Sequence, residues 1–147
     1  MKKLLASTLA LMAGLALCLP AHAARTNINA TTPAAILSGA PSANALDVSF
    51  TAIDNANGNK TAHNGQLMLI FYNSDVSSGT FTITTVADSL GRTGDITTYS
   101  LGAGEYAIVG PIPTQGYAQT DGYLYYTGSA ATMKVLPVQL SGSLNYR

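Results

Sequence analysis

The chain has 147 residues, one cysteine, two histidines and formal zero charge, with only 10% charged residues. That length suits one domain with a core of its own. The basic residues are too few and too scattered to track a phosphate backbone, which excludes a nucleic-acid partner.

Residues 1–23 have the three parts of a secretory leader: the positive start Lys2-Lys3, an apolar run from Leu4 to Leu19, and the small-residue cleavage site Ala21-His22-Ala23. Cleavage is expected near Ala23-Ala24, giving a secreted chain, periplasmic or extracellular. The apolar run ends at Pro20, short of the ~20 residues that a membrane-spanning helix needs. Cys18 lies inside the leader, so the mature chain is cysteine-free and forms no disulfide although exported. Loss of Lys2 and Lys3 leaves five bases (Arg25, Lys60, Arg92, Lys134 and Arg147) against seven acids.

From Ala24 to Ala43 the chain is rich in Ala, Thr and Asn, with Pro33 and Pro41 breaking any helix, and reads as an extended arm or first edge strand. The domain proper is expected over 44–147. Leu46 to Ile53 alternates, which predicts a half-buried strand with Leu46, Val48, Phe50 and Ala52 toward the core. Asp54-Asn55-Ala56-Asn57-Gly58-Asn59 reads as a turn that tolerates positive φ, with weak calcium binding through Asp54 and Asn57 as the alternative. It departs from a helix-loop-helix calcium site at Ala56. Lys60 to Gly65, which contains His63, reads as a solvated loop.

Leu67 to Phe71 is continuously apolar, and the run from Gln66 to Tyr72 predicts a central strand buried on both faces. Gly79 to Val86 alternates Phe81 and Ile83 with Thr80, Thr82 and Thr84, predicting a strand that forms a hairpin with the one before it. Asp95–Leu101, Glu105–Val109, Gly122–Thr127 and Ala131–Leu140 supply four more strands, with Pro137 marking an edge or a bulge in the last. No amphipathic helical window interrupts them. The expected fold is all-β, a two-sheet sandwich, jelly-roll-like, of about seven or eight strands.

Catalysis needs a nucleophile with its base, an unlike carboxylate pair or a metal cluster. A mature chain with His63 as its one histidine and Glu105 as its one glutamate offers none of these, so a non-enzymatic protein without a cofactor is expected. Two groups remain as candidate partner or ligand contacts. In Asp88 to Asp95 (DSLGRTGD), Arg92 can bridge Asp88 or Asp95 and shape the loop, or meet a partner at the rim. Tyr117, Tyr123, Tyr125 and Tyr126 form the other group: Tyr123 and Tyr125 share a strand face and Tyr126 lies opposite. Exposed tyrosines, here Tyr117, Tyr123 or Tyr126, stack on glycans or form protein interfaces.

The segment Ala87 to Tyr126, with its D-x-x-GRTGDIT loop and DGYLY strand, resembles a group of small proteins encoded in tailed-phage genomes and prophages. The phrase ALDVSFTAIDNANGN and the strand Leu67 to Asn73 resemble the same group, so coverage runs from about residue 44 to 140. The resemblance implies a compact β-sandwich acting as a virion decoration or accessory protein. A virion protein assembled in the cytoplasm needs no leader, and Ile112 and Tyr117 depart from the aromatic pattern of the group.

Leader, low charge and β-rich pattern together give the expected function: an exported structural subunit of an extracellular polymer or surface assembly. The arm Arg25 to Ala43 is the segment expected to reach a neighbour by adding a strand to its sheet edge. The alternatives are a carbohydrate-binding module and a virion accessory protein.

Overall fold

The computed structural model describes residues 24–33 and 47–140; residues 1–23, 34–46 and 141–147 lie outside the described residues. Nine strands follow in chain order: β1 Thr26–Asn27, β2 Thr51–Ala52, β3 Asn59–Ala62, β4 Leu67–Asn73, β5 Gly79–Thr84, β6 Ile96–Leu101, β7 Tyr106–Ile112, β8 Tyr123–Gly128 and β9 Met133–Gln139. They form a five-stranded sheet, β1-β3-β8-β5-β6, and a four-stranded sheet, β2-β9-β4-β7. Strands β2 to β9 pair antiparallel as β2 with β9, β3 with β8, β4 with β7 and β5 with β6. That nesting is one long hairpin rolled up, the jelly-roll topology, with β1 added to the outer side of β3 in parallel.

The core is built by alternation. Leu67, Leu69 and Phe71 of β4 and Phe81 and Ile83 of β5 are buried, while the residues between them are half-buried. Strand β4 is central, as its apolar run predicts, but its second face is only half-covered. β4 and β5 do not form a hairpin. They belong to different sheets, and the rings of Phe71 and Phe81 stack across the core with centroids 3.9 Å apart. Alternation identifies which side chains face inward, but the same inward pair can sit on neighbouring strands or across a sandwich.

Two further expectations are corrected. In the run ending at Ile53, the expected alternation does not hold: Val48 and Ala52 are exposed along with Asp47, Ser49 and Thr51, Phe50 is half-buried, Ile53 is buried, and the strand is only Thr51–Ala52. Phe50 turns to the outer face of the four-stranded sheet and packs edge-on against Tyr72 and Tyr106. The supposed solvated loop Lys60 to Gly65 is in part strand β3, and His63 is buried, its Nε2 bonded to the Pro113 carbonyl at 2.9 Å. Pro137 lies opposite Leu69 inside β9, and its carbonyl accepts the Thr31 N–H past the end of the two-residue β2. The nitrogen that cannot donate therefore faces a side where no ladder partner is required.

The described part of the arm is built into its own domain. Ile28 enters the core, its N–H donates to the Lys60 carbonyl, and its carbonyl accepts the Thr61 hydroxyl at 2.7 Å. Arg25 stacks over the Tyr125 ring at 4.4 Å, and Thr31 bridges Val138. Residues 24–33 thus cross from one sheet to the other along the β1/β2 side; the remainder of the expected arm, 34–43, lies outside the described residues.

Asp54 clamps the arm to the β2–β3 turn. Its carboxylate accepts the N–H groups of Ala56 and Asn57, the Asn57 side-chain amide and the Thr26 hydroxyl, the last at 2.7 Å. Those bonds, led by the Asn57 N–H, hold its pKa down to about 2 against an ordinary 3.8. A carboxylate with a folded pKa below its unfolded one contributes stability above the unfolded value and loses it as pH falls through the folded one. The Tm of Asp54→Asn should therefore lie below that of the parent at pH 6, with the gap closing by pH 2. A gap that persists unchanged at pH 2 would show that the charge is not what holds the turn.

Candidate functional site

The jelly roll has two long sides, and the described residues treat them differently. On one, β3 is covered by β1, and β9 by β2 and Thr31; β1 and β2 are two residues long, and short edge strands leave little template for pairing. On the other, β6 and β7 each end a sheet, and no described strand pairs with their outer sides.

The connection between β6 and β7 holds these two edges apart. The Gly102-Ala103-Gly104-Glu105 turn is closed by Glu105, whose N–H donates to the Gly102 carbonyl and whose carboxylate accepts the Gly102 N–H at 2.7 Å. Asn73, fully buried at the end of β4, ties this corner to the core. Its amide nitrogen lies 2.7 Å from the Ser77 carbonyl and 3.0 Å from those of Leu101 and Gly102, and its amide oxygen accepts the Asp75 N–H.

Between the edges opens a cleft of about 540 Å³. Phe81, Ile96, Tyr99, Ala107 and Val109 line it, and Tyr99 lies over Phe81 with ring centroids 5.1 Å apart. At its mouth Tyr99 is 51% exposed, Tyr106 60% and Ile108 65%. Three of the large exposed apolar side chains of the described chain thus gather at one rim, where scattered ones would need no explanation. The Tyr106 ring stacks on Tyr72 with centroids 4.4 Å apart, and Phe50 meets both, so an aromatic surface runs from the outer face of the sheet to its free edge.

The two edges differ in shape. β6 is broken by a bulge opposite Phe81 to Ile83, and Thr98 adopts φ 49°, a strained conformation for a β-branched residue. A bulge twists an edge out of pairing geometry. β7 is regular from Tyr106 to Val109 and irregular only at Gly110 and Pro111, where its register with β4 shifts. Nothing from Tyr106 to Ile112 is charged.

The residues singled out from sequence fall elsewhere. Asp88 accepts the N–H groups of Leu90 and Arg92 and pairs with the Arg92 guanidinium at 2.7 Å, which together hold its carboxyl below the usual range. Asp95 does not join them: it accepts the N–H of Thr85 at 2.6 Å together with the Thr85 hydroxyl, which lowers its pKa in turn. Both carboxylates shape the β5–β6 loop. Tyr117 packs against the core from the β7–β8 loop at the same end, where the Val86 N–H reaches the Gly116 carbonyl.

Tyr123 and Tyr125 share the outer face of β8, as the alternation predicts, and each ring carries a cation: Lys60 at 4.2 Å over Tyr123, Arg25 over Tyr125. Lys60 and the Tyr125 hydroxyl also reach Asp121, and that bond raises the Tyr125 pKa. Tyr126 is corrected outright. With no exposed surface it cannot touch a ligand or partner; its hydroxyl donates to Thr61 in the core, and burial pushes its pKa up to about 12. The tyrosine group is therefore divided between core, loop and cation pairs, and no common stacking platform is formed. Around Asp54 and Asn57 the carboxylate already accepts four hydrogen bonds from protein groups, and no group of three or more His, Cys, Asp or Glu side chains converges among the described residues.

The signal for the β7 edge in the sequence is weak: an uncharged strand, Tyr106 to Val109, whose outward-facing residues are as apolar as its inward-facing ones. Comparison with family models, curated proteins and solved structures returned no match.

Proposed function

We propose that this chain is an exported, non-enzymatic structural subunit that associates with further copies of itself through the β7 edge. The observation that carries the reading is the β6/β7 rim, where an uncharged, regular edge strand bears the exposed Tyr106 and Ile108 beside Tyr99 and an apolar cleft. An edge of that kind offers unpaired N–H and C=O groups to another strand, and monomeric proteins ordinarily blunt it with charge, proline or bulges. β6 carries such a device and β7 does not over Tyr106 to Val109. A second copy is the occupant that fits, because the edge bears no charge that would repel its own image. The leader supports export, and the resemblance to phage accessory proteins points to the same class of role, a structural part of a larger assembly.

Light scattering over a range of concentrations, with negative-stain microscopy, tests this. The parent should show a mass above the monomer that falls on dilution. Ile108→Lys places a charge on the rim and should return the mass to monomer, while its Tm stays near that of the parent, since exposed substitutions change stability by no more than about 0.5 kcal/mol. A parent that is monomeric at every concentration, or a variant that keeps the parent's mass, would refute the reading.

A further inference from the structure

We infer that the association closes as a two-fold dimer, with β7 of one copy antiparallel to β7 of the next and the axis passing beside Ala107; this rests on the self-association proposed above. The register follows from the hydrogen bonds already in place. In an antiparallel ladder, residues alternate between those that bond toward one neighbour and those that bond toward the other. The Asn73 N–H donates to the Glu105 carbonyl, and Phe71 pairs with Ala107 and Leu69 with Val109. Glu105, Ala107 and Val109 therefore turn their backbone groups toward β4, and Tyr106 and Ile108 turn theirs to the free side. Within the regular stretch Tyr106 to Val109, Tyr106 and Ile108 are the residues with donors and acceptors to offer, and the residue midway between them is Ala107.

Pairing centred there sets Tyr106 opposite Ile108 of the second copy and Ile108 opposite its Tyr106. Both bonded pairs are satisfied reciprocally, and each aromatic ring meets a branched aliphatic side chain across the seam, a favourable cross-strand combination. Shifting the register by one residue would set bonded groups against unbonded ones. A shift by two would bring Pro111 or the Glu105 turn toward the seam. The same arrangement makes the two four-stranded sheets continuous as one sheet of eight.

Closure follows from the other edges of the molecule. A filament would need β7 to find a different edge on the next copy; among the described residues β6 is broken by its bulge and by Thr98 at φ 49°, and β1 and β2 are each two residues long. A contact made by the same patch on both partners is isologous and stops at two. The pairing is short, so its area falls below the ~1,600 Å² of a standard interface and the dimer is expected to dissociate on dilution.

Cysteine scanning tests the register directly, because the chain bearing Cys18→Ser has no other thiol. At a non-hydrogen-bonded antiparallel pair the Cα atoms are about 4.5 Å apart, within the roughly 4.4–6.8 Å that a disulfide spans. Ala107→Cys should oxidise to a covalent dimer. Val109→Cys should not, because in this register the two Val109 positions lie about 14 Å apart at ~3.4 Å per residue. Ala107→Ser, with the same added bulk, serves as the folding control. On the unmodified chain, amide exchange at Tyr106 and Ile108 should slow as concentration rises.

If the parent associates and Ile108→Lys disperses it, but Ala107→Cys does not cross-link or Val109→Cys does so equally, the two-fold register is wrong while edge association stands. Particles larger than dimers overturn closure. A parent that stays monomeric, with exchange at Tyr106 and Ile108 independent of concentration, overturns both.

Discussion

Replacing Phe71 by alanine is expected to remove about 3–5 kcal/mol of folding stability, the range for a large aromatic cut from a packed core. Phe71 has no exposed surface, stacks on Phe81 at 3.9 Å and meets Tyr126 edge-on at 6.0 Å. It is the point where the two sheets are pinned together. The cavity would be lined by β4 and β5, which are held in different sheets by their own ladders and so cannot collapse into the space. A domain with total stability of about 5–15 kcal/mol would lose a large share of it. Urea unfolding measures the change; a loss under about 1 kcal/mol would mean that the two sheets are held chiefly elsewhere.

Asn73→Ala is expected to cost about 3 kcal/mol, although alanine is smaller and more apolar. The amide nitrogen lies within bonding distance of three carbonyls, from Ser77, Leu101 and Gly102, and the amide oxygen holds the Asp75 N–H. A neutral hydrogen bond contributes about 1 kcal/mol, but a buried carbonyl left without its donor costs about 1–3 kcal/mol more. Asn73→Asp separates this account from simple packing. It keeps the shape, but a carboxylate facing three carbonyls has no donor to offer, so it should be no better than alanine. A carboxylate variant as stable as the parent would remove Asn73 from its proposed place at the corner. Since that corner holds β6 and β7 apart, both variants should also weaken self-association at concentrations where the parent is assembled.

The parts of the fold that could be read in advance are those where burial and alternation coincide. β4, β5 and β8 carry apolar residues inward at every second position, and Gly or Pro punctuation bounds them. β3 was invisible for the opposite reason. Its inward residues are Asn59 and Thr61, both fully buried, so its hydrophobic pattern is absent. They are tolerated because Asn59 bonds both backbone groups of Asp54 within its own turn, and Thr61 bonds Ile28 and Tyr126, which lie far along the chain. The run to Ile53 misled because Phe50 is apolar yet belongs to the outer aromatic surface with Tyr72 and Tyr106.

The candidate site was less legible still. Tyrosines 117, 123, 125 and 126 stand out by density in the chain, whereas Tyr99, Tyr106 and Ile108 look like ordinary strand residues. What distinguishes the latter is that two strands in different sheets both lie at the end of the stacking order, on the same side. By itself, then, the sequence determined the class of fold, most strand positions and the inventory of chemistry, because those depend on neighbours two residues apart and on which side chains are present. Only the tertiary structure decided which strands pair, which polar residues are buried and which edge remains open, because each of those is settled by contacts between segments separated by tens of residues.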